Sequence, residues 1–368
     1  MGIDAAALAA LMDRVRDEVE SGLLPSAQVA LAQGGELVAF ESFGDADDDT
    51  RYVVFSATKA FVAGAMWILI GEGSIDPSRP VVDYIPEFAT NGKNGVTVEH
   101  VMLHTCGFPF APMRLELGAT SEGRTATFAK WRLDWEPGTR FQYHPTAAHW
   151  VLAEMIERAS GVDFRRFIAD RVTEPLGLPT VLGDTGFSAA PLTPVGDPAT
   201  REELDETLGA DYQDLWELTM TMMLALADAD AQRIGVPGGG GVMRASDLAR
   251  YYQALLHDPQ GLWVPAVLHD ATHHVRHRLP DEISGIPASR TLGLVTAGAD
   301  GRSHLRGMGR RVSAHAFGHN GAYGQIAWAD PHTGGSFAFC TNGLDRHVLR
   351  EPRRTNALND LAAACFRP

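Results

Sequence analysis

One segment decides the fold of this chain: Phe55-Ser56-Ala57-Thr58-Lys59-Ala60-Phe61-Val62-Ala63-Gly64-Ala65-Met66-Trp67. It places a serine three residues before a lysine, at the start of an apolar run that is typical of a buried helix. Residues three apart share one face of a helix, so the Ser56 hydroxyl and the Lys59 amine can meet. A neutral lysine could take the serine proton and create a nucleophile. The same residues also fit a helix N-cap serine followed by a solvated lysine.

The rarity of lysine favours the catalytic interpretation. Lys59, Lys93 and Lys130 are the only lysines in a sequence that has 31 basic residues of both types. Arginine keeps its proton inside a protein, whereas a desolvated lysine can lose it. A lysine among apolar residues at position 59 therefore matches the chemistry of a base.

Composition excludes several classes of partner and indicates a compartment. A net charge of -15 argues against nucleic acid and anionic membranes as partners, and no apolar run is long enough to span a membrane. Residues 1–20 predict an amphipathic helix rather than an export signal. Three widely spaced cysteines, Cys106, Cys340 and Cys365, predict reduced thiols. We expect a cytoplasmic protein, and its oligomeric state cannot be read from these features.

Strand-like segments occupy both ends of the chain, and helix-like segments occupy the middle. Residues 27–32 and 36–40 flank a Gly-Gly pair and predict a β-hairpin. Residues 314–319, 324–329 and 336–341 predict an antiparallel meander. We therefore predict an α+β fold, with an antiparallel sheet that is built from both chain ends and flanked by helices. Residues 1–75 and 235–368 would form an α/β lobe and residues 76–234 an inserted, mainly helical lobe, with the active site in the cleft between them.

Two further patterns could suggest ligand sites. The glycine-rich segment 235–241 lacks the Gly-Lys-Ser/Thr ending of a phosphate-binding loop, so it predicts a tight structural turn. His273, His274 and His277 could ligate a metal, but their spacing is equally typical of a surface cluster, and we prefer that interpretation. We expect no metal and no organic cofactor.

An acyl-transfer site needs a proton relay and oxyanion donors besides its nucleophile and base. Tyr143 follows a Pro-Gly turn and precedes a strongly amphipathic helix, and its phenol is a candidate for the relay. In His319-Asn320-Gly321-Ala322, a glycine lets a substrate approach the backbone. The backbone N–H groups of Ala322 and Ser56 could form the oxyanion hole. Taken singly, each feature also fits an ordinary buried tyrosine or a glycine-rich turn.

Together and in this order, these motifs resemble the serine β-lactamase-like family, specifically its class C branch. That branch also contains DD-peptidases, family VIII carboxylesterases, D-aminopeptidases and acyltransferases. The resemblance extends over residues 20–345 and implies the β-lactamase/transpeptidase-like fold. It also rests on these further segments: residues 97–109, which end in His104-Thr105-Cys106-Gly107-Phe108-Pro109, Glu157-Arg158-Ala159-Ser160-Gly161, Glu174-Pro175-Leu176-Gly177-Leu178 and residues 238–249.

The resemblance implies one role for each residue of the first two motifs. Ser56 would be acylated, Lys59 would be its base, and Tyr143 would relay the proton. The lactamase tyrosine motif is Tyr-x-Asn, however, and here Pro145 occupies the third place. Proline has neither a side-chain amide nor a backbone N–H.

The strand motif also departs from the family pattern. His319 and Gly321 would occupy the first and third places of the family's Lys-Thr-Gly strand, with Asn320 between them. Ala322 would supply the second oxyanion N–H. Because histidine replaces lysine, the fixed cation for an antibiotic carboxylate is absent at neutral pH. Both departures resemble the esterase and aminopeptidase branches, and they favour a substrate other than penicillin.

We therefore expect a carboxylesterase that acts on small or medium acyl esters through an acyl-serine intermediate. Amide hydrolysis, as by a β-lactamase or a peptidase for D-residues, and acyl transfer to a specialised alcohol are the alternatives. A catalytically silent binding protein on the same fold is the alternative from a different class. The partner would be a small-molecule ester or amide. Aromatic and apolar residues of the helical lobe could line the pocket or simply form that lobe's core: Phe108, Phe110, Met113, Trp131 and Trp135.

Overall fold

The computed structural model describes residues 2–207 and 210–367. Its strands are β1 (Gly2–Ile3), β2 (Ser26–Gln33), β3 (Glu36–Gly44), β4 (Tyr52–Val53), β5 (Thr193–Val195), β6 (Val242–Met243), β7 (Val295–Thr296), β8 (Phe317–Gly318), β9 (Ile326–Asp330), β10 (Gly335–Thr341), β11 (Gly343–Asp345) and β12 (Phe366–Arg367). Its helices are α1 (Ala5–Glu20), α2 (Lys59–Gly71), α3 (Val98–Met102), α4 (Leu115–Gly118), α5 (Ser121–Phe128), α6 (Ala147–Ser160), α7 (Phe164–Ile168), α8 (Arg201–Asp205), α9 (Ala210–Leu226), α10 (Ala229–Ile234), α11 (Ala245–His257), α12 (Pro265–His273) and α13 (Arg350–Cys365).

The main sheet joins the two ends of the chain. Its strand order is β3-β2-β10-β9-β8-β7, and every neighbouring pair is antiparallel. The strand β10 lies at the centre, where Ala338 pairs with Ala30 of β2 and with Ala327 of β9. The predicted antiparallel sheet, built from both chain ends and flanked by helices, is therefore confirmed.

The N-terminal hairpin forms where the Gly-Gly pair predicts it. Strands β2 and β3 enclose Gly34 and Gly35, whose φ angles are 65° and 88°. Two consecutive positive φ angles give the turn whose twist matches that of the paired strands, and glycine adopts them without steric cost.

Helices cover both faces of the sheet, which explains why β2 is buried along its whole length. Val29 and Leu31 face one layer, in which α1 and α13 contribute Leu11, Val15 and Leu358. Ala30 and Ala32 face the opposite layer with α2 and α11. Alternate residues of a strand point to opposite faces, so one strand serves two apolar cores. The small side chains on the α11 side let that helix approach the sheet closely.

Helix α2 is the central element of the molecule. Each of its residues from Lys59 to Leu69 is buried, as expected for a helix that is apolar on all sides. It packs against α6, whose C-terminus is capped by Gly161. This central position holds the start of α2, and hence Ser56, on a rigid support.

The predicted inserted lobe, residues 76–234, contains the helices α3 to α10. It also contains β5, which pairs in parallel with β11 near the C-terminus. The chain therefore crosses between the two predicted lobes at this point, and the division at residues 75 and 235 stays a prediction. Among the described helices, none is both long and apolar enough to cross a membrane.

Candidate active site

Ser56 lies at a sharp connection between β4 and α2. Phe55, directly before it, has φ 45° and ψ -129°, which is an unusual conformation for a bulky residue. The Thr58 hydroxyl donates to the Phe55 carbonyl at 2.6 Å and accepts from the Gly241 N–H at 2.8 Å. Strained backbone persists only where its surroundings hold it, and it is frequent at functional sites. The connection presents Ser56 to a cavity while its neighbours are buried.

Lys59 is fully buried beside Ser56. Its Nζ lies 3.1 Å from Ser56 Oγ, 2.8 Å from the Pro145 carbonyl oxygen and 2.5 Å from the Gly238 carbonyl oxygen. Burial, and then the charge of Arg290, hold the pKa of Lys59 well below its ordinary value. A neutral amine has two N–H groups, which suffice for the two carbonyls, and its lone pair is then free to accept the serine proton.

Tyr143 completes a hydrogen-bonded chain. Its phenol O–H donates to Ser56 Oγ at 2.8 Å. Ser56 is therefore the middle member of the hydrogen-bonded chain, with Tyr143 on one end and Lys59 on the other. Burial raises the pKa of Tyr143 to about 12, although the hydrogen bond to Ser56 and the charge of Arg290 lower it. Tyr143 is therefore a protonated phenol at neutral pH, in position to deliver a proton near the nucleophile. The structure thus brings together the three residues that the sequence analysis assigns to catalysis.

Two residues that could supply oxyanion donors border the same cavity. Ser56 and Ala322 both line it, and none of the hydrogen bonds among the described residues uses either N–H. The preceding N–H, of Gly321, bonds instead to the Gln325 carbonyl at 2.9 Å. Tyr323 follows with φ 53°, and its hydroxyl donates to the Trp216 carbonyl of α9 at 2.7 Å. This strained, anchored turn leaves the Ala322 N–H available as an oxyanion donor.

His319 directly follows β8 and is buried. Its N–H donates to the Tyr252 hydroxyl at 2.8 Å, and Nδ1 lies 3.0 Å from the Asn320 carbonyl oxygen. Burial, followed by the charges of Arg290 and Lys59, holds the pKa of His319 well below its ordinary value. The imidazole is consequently neutral, as the sequence analysis expects for neutral pH.

The other two predicted binding residues, Asn320 and Pro145, make hydrogen bonds to the protein itself. Asn320 lines the cavity, but its Nδ2 donates to the Gly307 carbonyl at 2.6 Å and its Oδ1 accepts from the Ala327 N–H at 3.0 Å. It therefore holds two segments together. Pro145 contributes its carbonyl oxygen, which accepts from Lys59.

The cavity in front of Ser56 has a volume of about 420 Å³. Its walls come from residues 281–290, 305–308 and 318–322, with Phe141 and Tyr143. None of the five residues named as possible pocket contacts lines this cavity, although Phe141 and Tyr143 of the same predicted lobe do. The rings of Phe108 and Trp131 instead pack against each other at 5.5 Å, within the large apolar core that also includes α2 and α11.

Sequence reasoning missed two residues of the site. It interpreted segment 235–241 as a purely structural turn, yet the Gly238 carbonyl accepts from Lys59. A backbone carbonyl leaves no mark on side-chain patterns, and only the unusual run of glycines could have indicated it. Arg290 also lines the cavity, and no motif includes it.

The histidines at 273–277 contact protein groups. His274 Nδ1 lies 2.9 Å from an Asp270 carboxylate oxygen, and His277 Nε2 lies 3.2 Å from the Leu103 carbonyl oxygen. Within residues 2–207 and 210–367, no group of three or more His, Cys, Asp or Glu side chains is arranged to hold a metal ion.

The chain is similar to several known proteins. A family model described as Beta-lactamase matches residues 11–362. The esterase/beta-lactamase LipL of Mycobacterium tuberculosis is 27% identical over 80% of this chain and 70% of its own length. The esterase EstB of Burkholderia gladioli is 29% identical over 51% of this chain and 54% of its own length. A penicillin-binding protein homologue from Caulobacter crescentus superimposes with a TM-score of 0.78, at 26% identity and over 99% of both chains.

Proposed function

Because the chain belongs to the β-lactamase family, we propose that it is a serine hydrolase that forms an acyl-enzyme at Ser56 and acts mainly on carboxylic esters. The observation that carries the proposal is the hydrogen-bonded chain from Tyr143 through Ser56 to Lys59. A nucleophile, a base with a depressed pKa and a protonated relay are the groups that acyl transfer requires.

In acylation, Ser56 Oγ bonds to the ester carbonyl carbon while its proton passes to Lys59 Nζ. The developing oxyanion accepts hydrogen bonds from the N–H groups of Ser56 and Ala322. Collapse breaks the bond to the alcohol oxygen, which takes the Tyr143 proton. The proton on Lys59 then restores Tyr143.

Deacylation repeats these steps with water. Water bonds to the acyl carbon and gives its proton to the Lys59 and Tyr143 pair. The bond to Ser56 Oγ breaks, the serine recovers a proton, and the carboxylic acid leaves. The Pro145 and Gly238 carbonyls hold the lysine in place whether it carries two or three protons.

Three observations favour esters. Two of the relatives are named as esterases, LipL and EstB. Pro145 offers no amide for a β-lactam side chain. The His319 imidazole is neutral and therefore carries no charge for a carboxylate.

Amide hydrolysis is the second candidate. Tyr143 can protonate an amine as well as an alkoxide, and the relative LipL is named an esterase/beta-lactamase. A panel of matched ester, amide and β-lactam substrates separates the two. Faster acylation by the amide or the β-lactam would replace the ester proposal.

The decisive experiment follows the acyl-enzyme directly. Rapid mixing with p-nitrophenyl butyrate should give a burst of nitrophenol, and intact-mass measurement should find one butyryl group on Ser56. Ser56→Ala should abolish both signals, whereas Ser74→Ala, an exposed serine outside the cavity, should retain them. Absence of a serine adduct in the folded wild-type protein would favour a silent binding protein instead.

A further inference from the structure

Arg290 is a buried cation without a protein partner. Its residue is 7% exposed, and its side chain makes no hydrogen bond and no ion pair with any residue in the described ranges. Burial lowers the pKa of Arg290 to about 10, so the guanidinium remains charged at neutral pH. The charge of Asp281 partly opposes this lowering of the pKa, but Asp281 forms no ion pair with Arg290 among the described residues. A buried charge that no counter-charge contacts is costly, and such groups persist mainly where function uses them.

The neighbours of Arg290 are aromatic. Its guanidinium carbon lies 5.3 Å from the ring centroid of Phe141 and 5.3 Å from that of Tyr143. These contacts hold the planar group in place but leave all five of its N–H donors unused. Arg290 also lines the cavity that contains Ser56.

The other charged residues of the cavity wall are already occupied. Arg306 pairs with Asp300 and donates to the carbonyls of Pro287 and Ala297. The Oδ1 atom of Asp281 accepts from the Ile283 and Ser284 N–H groups of its own loop. Asp281 makes no ion pair with Arg290 in the described structure, so the guanidinium is the cation of this cavity that is left for a ligand.

We propose that Arg290 binds a carboxylate on the substrate, and that this carboxylate belongs to the alcohol portion of the ester. A guanidinium with free parallel donors matches a carboxylate in two hydrogen bonds. The position of Tyr143 decides which portion of the ester carries the carboxylate. Tyr143 delivers its proton to the leaving oxygen, and its ring packs against Arg290. The alcohol portion therefore extends towards Arg290.

This proposal rests on the proposed esterase function and narrows its substrate class. The sequence analysis finds no cation at the first place of the strand motif, where His319 lies. Arg290 supplies a cation to the same cavity from a different segment, directly before the turn that leads into β7.

Matched substrates test the proposal. The acetate ester of para-hydroxyphenylpropanoate carries an insulated carboxylate, and the acetate ester of the corresponding primary amide is its neutral counterpart. We expect kcat/KM to favour the anion, and Arg290→Met to lower kcat/KM for the anion by about 10- to 100-fold, as for loss of a charge-assisted pair. The neutral ester should change by less than about threefold in the same variant. Arg290→Lys should recover part of the preference.

The controls separate this proposal from other roles. Arg140→Met removes an exposed arginine outside the cavity wall and should leave the preference intact. Equal losses for both substrates in Arg290→Met would mean that Arg290 supports Tyr143 or the fold, and would overturn the proposal. Phenyl hemisuccinate and phenyl butyrate form a second pair, in which the carboxylate lies on the acyl portion. If only this pair shows a preference for the anion, the carboxylate belongs to the acyl portion, and the assignment to the alcohol is overturned.

A measurement on the unaltered protein covers the case in which the variants fail to fold. Free para-hydroxyphenylpropanoate should inhibit hydrolysis of a neutral ester competitively and more strongly than its primary amide. Equal inhibition by the two would count against the subsite. If the wild-type protein hydrolyses neither acetate ester and forms no acyl-serine, the esterase function itself fails; hydrolysis without charge preference contradicts only the role of Arg290.

Discussion

In the proposed mechanism, proton transfer from Ser56 depends on Lys59, whose pKa is held well below its ordinary value by burial. Lys59→Arg keeps the charge and much of the length but cannot lose a proton. We expect kcat/KM to fall by about 10²- to 10⁴-fold, the usual contribution of a general base. Lys130→Arg, at an exposed lysine, is the control and should be near wild type. Wild-type rates in Lys59→Arg would rule out the proposed base.

The pH dependence follows from the same residues. An ammonium cannot accept the serine proton, so kcat/KM for a neutral ester should rise with pH as Lys59 deprotonates, at a pH well below 10.5. It should then stay level until the Tyr143 phenol ionises, near pH 12. Burial keeps His104, His149 and His319 neutral, so these histidines should add no inflection near pH 6.5. A pH–rate profile checks this, and an inflection at the ordinary lysine value would contradict it.

Residues that act through side chains in a local pattern could be predicted, and the others could not. Ser56 and Lys59 share one turn, and Tyr143 follows a recognisable Pro-Gly turn, so the sequence indicates all three. Gly238 acts through a carbonyl, which every residue has. Arg290 is proposed to bind a ligand because no residue that the structure describes pairs with its guanidinium. The absence of such a partner is visible only in three dimensions.

Among the elements, the glycine-rich turn before β6 has more than a structural task. A Cβ on Gly238 would lie 2.8 Å from the Pro145 carbonyl oxygen and 3.1 Å from Thr146 Cα, both of them backbone atoms. Gly238→Ala should therefore displace the carbonyls that hold Lys59. We expect kcat to fall by roughly 10- to 100-fold, since about 1 Å of misplacement has such effects.

Gly95→Ala is the matched control, because a Cβ at Gly95 meets no atom within 4 Å. Steady-state kinetics and a thermal melt of both variants test the expectation. Loss of kcat in Gly238→Ala with a melting temperature close to that of Gly95→Ala would support it. Unchanged kcat would show that the two carbonyls do not need to hold Lys59.

Element types were more predictable than their packing. The Gly-Gly hairpin follows from local backbone preferences, and it is confirmed. Composition could not distinguish a pocket wall from a core, so the sequence left both possibilities open for Phe108 and Trp131, which the structure places in the core. Both environments select the same apolar side chains, and only long-range packing separates them.

At the scale of the whole molecule, an ion-pair cluster links the C-terminal helix α13 to the short strand β11. Arg354 of α13 and Asp345 of β11 are both almost fully buried and form an ion pair, and Arg350 also pairs with Asp345 at 2.7 Å. Arg354→Met should lower the free energy of unfolding by about 3–5 kcal/mol, because it leaves a buried carboxylate with one partner fewer.

Urea unfolding of Arg354→Met and of Arg353→Met, at the exposed neighbour, checks this expectation. The second variant should stay within about 0.5 kcal/mol of wild type. Equal stabilities of the two variants would mean that the cluster contributes little to holding α13.

The central place of β10 also has a consequence for how the protein is made. Strand β2 must pair with a segment about 300 residues further along the chain. At about 5–20 residues per second, a ribosome takes roughly 15–60 s to add that length. During this interval the edge of β2 that later pairs with β10 stays unpaired, a state that favours association with other chains. Soluble yield in cells should therefore depend on chaperones that shield the hairpin until the last strands emerge.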